Sequence, residues 1–187
     1  MRVDKAVVLA GGKSSRMGQD KALLPFGGYS SLTQYQYEKL LKIFKEVYIS
    51  SKTDKFSSKF PLIIDKSNIS SPMVALKSIF EELNCNIFVI GVDMPLVSNQ
   101  IVTTLIDEFE NGSFEIVYAS SSFGKEPLCG VYHKNVLHKI KELLKSDIHK
   151  LNTLLDSCST KEIYFDTKEP FTNLNYYKEY QRLLTLH

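Results

Sequence analysis

The chain has 187 residues, of which 43% are hydrophobic and 24% are charged. This is the length of one ordinary domain with a globular composition, so we expect residues 1–187 to form a single domain. The 23 basic and 21 acidic residues leave a net charge of +2, which is too close to neutrality to indicate binding to nucleic acid or to an anionic membrane surface. Any affinity for phosphate must therefore come from a local cluster of residues.

The sequence lacks the signals of secreted and membrane proteins. Cys85, Cys129 and Cys158 lie far apart without a Cys-x-x-Cys pair, which favours ordinary reduced thiols over a disulfide framework or a zinc site. The four histidines also lack the spacing of a zinc site. No signal peptide is apparent, and no apolar segment approaches the roughly 20 residues that span a membrane. We therefore expect a cytoplasmic protein.

A short apolar run at residues 6–9 predicts a buried strand, and it leads directly into a loop rich in glycine and basic residues. The glycines and cations of this loop are Gly11, Gly12, Lys13, Arg16, Gly18 and Lys21. Glycine allows a ligand to approach the backbone closely because no Cβ intervenes, and consecutive exposed N–H groups form a concavity that favours an anion. The loop therefore predicts a phosphate-binding site, with a polyphosphate as the simplest ligand.

The loop matches neither of two standard phosphate-binding motifs. A Walker A loop requires a glycine five residues before Gly12, where this chain has Val7. The dinucleotide-binding fingerprint also fails, because its glycine spacing differs from that of Gly11, Gly12 and Gly18. A third type of phosphate loop is therefore needed to explain the pattern.

Strands and helices are predicted to alternate through the first 110 residues. The predicted elements are a turn near 23–28, a helix at about 31–44 with Leu41 on its buried face, strands at 47–50 and 62–64, a helix opened by Ser71 and Pro72, a strand at 87–92, and a helix from Ser98 to about residue 110. The polar residues 51–59 are interpreted as a surface loop. The alternation predicts a parallel sheet with right-handed crossovers and helices on both faces.

The pattern changes after residue 112. A short link joins the strands predicted at 115–119 and 127–132, which favours an antiparallel pair at the sheet edge. Helices at about 133–145 and 150–157, a strand at 163–165 and a helix at 176–186 complete the chain. The expected fold class is therefore α/β: a three-layer α/β/α, Rossmann-like and mostly parallel sheet with an antiparallel edge.

Acidic residues follow two of the predicted parallel strands, at the end where open α/β sheets bind ligands. Asp65 follows the strand at 62–64, and Asp93 follows the strand at 87–92. A carboxylate just past a buried strand costs desolvation unless a cation compensates it, and magnesium commonly bridges one or two carboxylates to substrate phosphates. Asp93 is therefore a candidate magnesium ligand and Asp65 a candidate for the nucleotide cleft, with a turn-capping carboxylate as the alternative for each.

The run from Leu9 to Lys21 reads Leu-Ala-Gly-Gly-x-Ser-x-Arg-Met-Gly-x-Asp-Lys. It resembles the signature of the nucleotidyltransferases that have the nucleotide-diphospho-sugar transferase fold, and among them it is most similar to the molybdenum cofactor guanylyltransferases. Asp93-Met94-Pro95 is similar to the Asp-x-Pro motif of that family, in which the aspartate holds the metal.

The resemblance implies transfer of GMP from GTP to a molybdopterin-type cofactor precursor, with Mg²⁺ as the cofactor and pyrophosphate as the leaving group. The family's cofactor-delivery proteins are candidate partners. The implied nucleotide-binding residues are Leu9, Ala10, Gly11, Gly12, Lys21, Asp65 and Asp93. The implied catalytic residues are Lys21, which suits charge developing on the leaving group, Asp93 on the metal, and Arg16 as a phosphate clamp, with a solvated loop arginine as the alternative for Arg16.

Gly11 favours GTP as the nucleotide. In the related cytidylyltransferases the corresponding motif resembles Leu-Ala-Ala-Gly, with alanine in place of Gly11. A glycine beside the base leaves room for a purine. The chain departs from the family at Ser71 and Ala75, where glycines are usual, and at Ser50, where some members have asparagine. Two alternatives stay open at this point. One is a cytidylyltransferase or sugar-1-phosphate nucleotidyltransferase on the same fold, and the other is a catalytically inactive, nucleotide-binding regulatory module.

Overall fold

The computed structural model describes residues 2–12, 18–57, 59–172, 174 and 177–184. Within these residues, seven strands form one sheet in the order β3-β2-β1-β4-β6-β5-β7. The strands are β1 (Lys5–Leu9), β2 (Glu46–Ser51), β3 (Leu62–Ile64), β4 (Ile87–Gly91), β5 (Ile116–Ser121), β6 (Gly124–Tyr132) and β7 (Thr160–Tyr164). The helices are α1 (Leu32–Leu40), α2 (Pro72–Leu83), α3 (Asn99–Asn111), α4 (Val136–Lys145), α5 (Leu151–Asp156) and α6 (Tyr177–Leu184), with short 3-10 helices at Lys21–Leu23 and Glu169–Phe171.

The strand pairing confirms the predicted α/β class. The strands β1 to β4 pair in parallel, whereas β6 runs antiparallel to both β4 and β5. The predicted antiparallel pair is therefore present, but it does not itself form the edge. The outer position belongs to β7, which pairs in parallel with β5. Local sequence patterns identify strands but do not encode their order across the sheet.

Helices cover both faces of the sheet, and each face has its own apolar core. On one face, α1, α3 and α6 pack against residues such as Val8. On the other face, α2, α4 and α5 pack against residues such as Val7. These two neighbours belong to opposite cores because successive side chains of a strand alternate between faces. Among the described helices, none combines the length and apolar character that a membrane crossing requires.

Serine residues begin three of the helices, as their positions in the sequence predict. The side-chain oxygens of Ser31, Ser71 and Ser98 accept hydrogen bonds from the backbone N–H groups three residues later, at 3.1, 3.3 and 3.3 Å. Such caps satisfy N–H groups that have no partner within the helix. They fix the point at which each helix leaves its preceding loop.

The predicted end of α1 is wrong. The helix ends at Leu40, and residues 41–43 form a turn in which Ile43 N–H donates to Leu40 O at 2.9 Å. Leu41 is 40% exposed although it was predicted on the buried face, because the buried residues of α1 recur on a different side of the helix. Phe44 still reaches the core, at 3% exposure, but from the turn rather than from the helix.

Candidate active site

The carboxyl ends of β1 to β4 surround a cleft of about 280 Å³. Parallel strands end at the same edge of a sheet, and the loops that leave them open a crevice there. The cleft is lined by every residue predicted to bind nucleotide, namely Leu9, Ala10, Gly11, Gly12, Lys21, Asp65 and Asp93. It is also lined by Asp20, residues 50–52, residues 70–72, Ala75, residues 91–92 and Leu128. The topology therefore brings together residues that are far apart in the chain.

Gly11 and Gly12 follow β1 and leave the backbone accessible in the cleft. Ala10 N–H donates to Ser50 O at 2.9 Å, which extends the pairing of β1 with β2 to the start of the loop. A Cβ added at Gly12 would have no neighbour within 4 Å, and one at Gly11 would make an ordinary contact of 3.5 Å with Ser51 Cα. Arg16, the predicted phosphate clamp, lies outside the described residues, so its role stays a prediction.

Lys21 and Asp93 form an ion pair inside the cleft. Lys21 Nζ donates to Asp93 Oδ2 at 2.7 Å, and the two side chains are only 15% and 22% exposed. Lys21 is placed by the 3-10 helix that it begins, which Asp20 caps by accepting from Ala22 N–H at 3.0 Å. Asp93 O accepts from Leu174 N–H at 3.0 Å, which ties the turn after β4 to the C-terminal part of the chain.

The absence of a side chain at Gly91 makes room for the Asp93 carboxylate. A Cβ at Gly91 would lie 2.5 Å from Asp93 Oδ1 and 3.1 Å from Met94 Cε. The carboxylate folds back over the end of β4, and any larger residue at position 91 would displace it. Glycine is required here by the close approach of two groups.

Helix α1 holds the turn that carries Asp93. Gln36 Nε2 donates to Met94 O at 2.9 Å, and Lys39 Nζ donates to Pro95 O at 2.8 Å. Gln36 is fully buried, and burial lowers the pKa of the Lys39 ammonium to about 8. Two polar side chains of one helix thus satisfy the backbone carbonyls of this turn, which rigidifies the support beneath Asp93.

Lys55 connects the two ends of the glycine-rich loop between Ala10 and Lys21. Its ammonium donates to Ala10 O at 2.9 Å, just before Gly11, and it forms an ion pair with the Asp20 carboxylate, just before Lys21. The Lys55 side chain is 20% exposed. One cation from the segment after β2 therefore holds together the residues that begin and end the loop.

Asp65 is a buried carboxylate with protein donors on both oxygens. Its Oδ2 accepts from Lys52 Nζ at 2.5 Å, and its Oδ1 accepts from Ser67 N–H at 2.9 Å. Lys52 also donates to Ser67 O and Ile69 O, at 2.6 and 2.7 Å. These contacts fix the segment after β3, which forms one wall of the cleft. The predicted contact of Asp65 with nucleotide stays a prediction.

The described residues contain no group of three or more His, Cys, Asp or Glu side chains that could hold a metal ion. Magnesium does not require one, because it is commonly held by one or two carboxylates together with substrate phosphates and water. Among the histidines, His133 directly follows β6. Since β6 runs antiparallel, its carboxyl end lies at the opposite edge of the sheet, away from the cleft.

The three cysteines are free thiols, as predicted. Burial raises the pKa of the Cys129 thiol to about 12 and that of Cys158 to about 11, and it also raises the pKa of Cys85. These thiols are protonated near neutral pH, whereas the thiolate is the reactive form. They supply no nucleophile to the cleft.

Sequence reasoning missed three groups that shape the site: Lys52, Lys55 and Gln36. The first two lie in the segment 51–59, which was interpreted as a surface loop, and Ser51 in that segment is only 2% exposed. Lys52 could have been found, because it follows the carboxyl end of a parallel strand just as Asp65 and Asp93 do. Lys55 and Gln36 act through contacts with residues that are 35 and 58 positions away in the chain, so the sequence around them does not indicate these roles.

The fold and the cleft together define a class of protein. A family model described as the MobA-like NTP transferase domain matches residues 6–162, a range that contains every cleft residue named above. The chain belongs to the MobA-like NTP transferase family. It is a nucleotidyltransferase, which agrees with a cleft that combines a glycine-rich loop, a lysine and a carboxylate.

The chain is also similar to individual members of the family. A molybdenum cofactor guanylyltransferase from Campylobacter jejuni is 41% identical over 179 residues, which cover 94% of this chain and 93% of the relative. A relative of the same name from Helicobacter pylori is 38% identical over 182 residues, covering 94% and 89% of the two chains. Molybdopterin-guanine dinucleotide biosynthesis protein A from Archaeoglobus fulgidus has the same fold, with a TM-score of 0.79 over 97% of both chains at 18% identity.

Proposed function

We propose that this chain transfers GMP from GTP to a molybdopterin-type molybdenum cofactor, releasing pyrophosphate and forming a guanine dinucleotide cofactor. The observation that carries the proposal is the meeting of the glycine-rich loop, Lys21 and Asp93 in one cleft. The chain is also 41% identical to a molybdenum cofactor guanylyltransferase over nearly its whole length. A nucleotidyl transfer requires a site that holds a triphosphate and leaves its α-phosphorus open to the acceptor.

The chemistry requires no protein nucleophile. An oxygen of the acceptor phosphate bonds to the α-phosphorus of GTP, and the bond from that phosphorus to the oxygen bridging to the β-phosphate breaks. The bridging oxygen keeps the electron pair and departs within pyrophosphate. The chain therefore contributes position and electrostatic stabilisation, which are the main sources of rate in phosphoryl-type transfer.

Groups in the cleft and beside it have distinct roles in this scheme. Gly12 leaves backbone accessible to the phosphates, and the Lys21 ammonium places positive charge where the leaving pyrophosphate gains negative charge. Lys55 holds the two ends of the loop in place by contacting Ala10 and Asp20, so it acts through the loop rather than on the substrate.

Asp93 is the residue that would hold a divalent cation, which we propose to be Mg²⁺. Once bound, the ion neutralises charge on the phosphate oxygens. The fit is supported by the ion pair itself, because the Asp93 carboxylate already has a cationic partner, Lys21, at 2.7 Å. We propose that the Lys21 ammonium leaves Asp93 and contacts the phosphates when nucleotide binds. The Asp93 carboxylate is then available to the metal ion.

The preference for a guanine nucleotide is supported at Gly11, which lines the cleft. Gly11 lies against Ser51 and adds no side chain there, so the space is available to a large base.

Pyrophosphate release is the direct test. Purified protein is incubated with Mg²⁺, the molybdopterin-type precursor and GTP, CTP or UTP in turn. We expect release with GTP that depends on the precursor, and we expect Asp93→Asn to abolish it. Asp107→Asn, which alters an exposed carboxylate on α3, is the matched control and should retain full release.

The same experiment separates the alternatives. A preference for CTP or UTP would overturn the guanylyl assignment in favour of a cytidylyltransferase or sugar-1-phosphate nucleotidyltransferase. Binding of GTP without release in the presence of the precursor would indicate an inactive regulatory module.

A further inference from the structure

Ser71 belongs to a chain of hydrogen bonds that begins in the cleft and ends outside it. Ser71 Oγ lies 3.2 Å from Nδ1 of His149, and Nε2 of His149 lies 3.0 Å from Oδ1 of Asp147. Ser71 lines the cleft, whereas His149 and Asp147 come from the connection between α4 and α5 and line a separate groove. The cleft thus has a hydroxyl that is held from outside it.

The order of groups gives the Ser71 hydroxyl a direction of donation when the His149 ring carries a single proton. A carboxylate oxygen of Asp147 accepts, so that proton lies on Nε2 of His149. Nδ1 is then the acceptor, and Ser71 O–H donates to it. Ser71 Oγ accepts from Val74 N–H at 3.3 Å, which occupies one of its two lone pairs. The second lone pair remains for a hydrogen-bond donor in the cleft.

The position of Ser71 places it towards the base of a bound nucleotide. Lys21 and Asp93 mark the phosphate end, at the carboxyl ends of β1 and β4. Ser71 follows β3, which is three strand positions from β4. At about 4.8 Å per strand, this is a separation of roughly 14 Å along the sheet edge. A nucleotide with its phosphates at Lys21 therefore extends its base towards the start of α2.

We propose that Ser71, held as an acceptor by His149 and Asp147, selects guanine by accepting a hydrogen bond from its N1–H or 2-amino group. The inference rests on the proposed function, since it requires a nucleotide in the cleft. Ser71 touches the substrate, and His149 and Asp147 are positioning residues. Adenine has an acceptor at N1, so its lone pair would face the lone pair of Ser71 Oγ and no hydrogen bond would form. Sites that form hydrogen bonds to a substrate discriminate strongly against analogues that leave the protein group unpaired.

The test is the ratio of kcat/KM for GTP to that for ATP, with ITP, which lacks the 2-amino group, as a third substrate. This ratio does not change when a variant is merely less well folded, because both substrates see the same active fraction. Ser71→Gly removes the hydroxyl and keeps a residue that begins helices well. We expect it to lower the ratio by about tenfold or more. ITP identifies which guanine donor is used, N1–H or the 2-amino group.

Variants of His149 test the orientation of the hydroxyl. His149→Phe keeps a ring but removes the acceptor, and it should also lower the GTP-to-ATP ratio. His149→Asn places an amide oxygen near the position of Nδ1, so it should restore the ratio. Asp147 has a φ of 57°, which asparagine and glycine both tolerate. Asp147→Asn retains an acceptor for Nε2–H and should preserve the ratio, whereas Asp147→Gly should lower it. His138→Phe, on α4, is the control.

An unchanged ratio in Ser71→Gly would overturn the base-reading role. A changed ratio in Ser71→Gly with none in His149→Phe would overturn the role of the hydrogen-bond chain. If wild-type protein releases no pyrophosphate from GTP, the proposed function fails separately. The dissociation constants of GTP and ATP, measured by titration calorimetry on the same variants, then give the ratio that decides this inference.

Discussion

The ammonium of Lys21 lies 2.7 Å from the carboxylate of Asp93, although 72 positions separate them in the chain. The sheet produces this contact, because β1 and β4 are hydrogen-bonded neighbours and both residues follow the carboxyl ends of these strands. The pair joins the cationic end of the glycine-rich loop to the proposed metal ligand. The proposed site for a triphosphate and its metal thus depends on two segments that only the folded sheet brings together.

Replacement of Lys21 should impair catalysis more than folding. We expect Lys21→Ala to lower kcat/KM for GTP by about 100- to 1,000-fold, the usual cost of removing one preorganised charge-stabilising group. Initial rates of pyrophosphate release measure this effect. Lys45→Ala removes an exposed lysine that pairs with Asp4 and should leave the rate unchanged. Full turnover by Lys21→Ala would remove this lysine from the mechanism.

Lys55 should act through the loop that it holds. We expect Lys55→Met to raise KM for GTP by about tenfold or more, because Ala10 and Asp20 lose their common partner and the loop between them loses its position. Steady-state kinetics with varied GTP measure this change. Lys59→Met, an exposed lysine of the same segment, is the matched control. Equal KM values for the two variants would show that the Lys55 contacts do not organise the loop.

Gly11 should contribute to the choice of nucleotide. An alanine Cβ there would contact Ser51 Cα at 3.5 Å and Lys52 N at 3.7 Å, so Gly11→Ala should fold without rearrangement. The added methyl group occupies space beside the base, and we expect the ratio of kcat/KM for GTP to that for CTP to fall by about tenfold. Thermal unfolding checks the fold. An unchanged ratio in a normally folded variant would place the base away from Gly11.

Lys39 should make stability depend on pH. Burial lowers the pKa of its ammonium to about 8 in the folded protein, against 10.5 in the unfolded chain. Between these values the unfolded state binds more protons, so this group makes the free energy of unfolding rise with pH, by at most about 1.4 kcal/mol per pH unit. Urea denaturation of wild type and Lys39→Met from pH 7 to 10 should show wild type gaining stability relative to the variant above pH 8. A constant or falling difference would contradict this expectation.

The fold could be predicted where its signals are local. Serine followed by an apolar helical pattern located the start of α2 and α3, and an uninterrupted apolar run located β4. The end of α1 was wrong because apolar residues continue through the turn at 41–44, so the pattern alone does not show where the helix ends. The outer position of β7 depends on pairing between distant segments.

The site could be predicted as far as one topological rule extends. Residues that follow parallel strands meet at one edge, and this rule with the loop motif placed Lys21 and Asp93 in the same cleft. The same rule applies to Lys52, which follows β2, but residues 51–59 were interpreted as a surface loop. Lys55 and His149 reach their partners across 35 and 78 positions, and only the packed structure reveals those contacts.

A crystal structure with a non-hydrolysable GTP analogue and Mg²⁺ would test the central claim most directly. We predict the triphosphate beside Gly12, the base beside Gly11, Lys21 on the phosphate oxygens, and the metal ion bound to both Asp93 and the phosphates. Phosphates bound at another surface, or a metal ion that does not touch Asp93, would contradict the account.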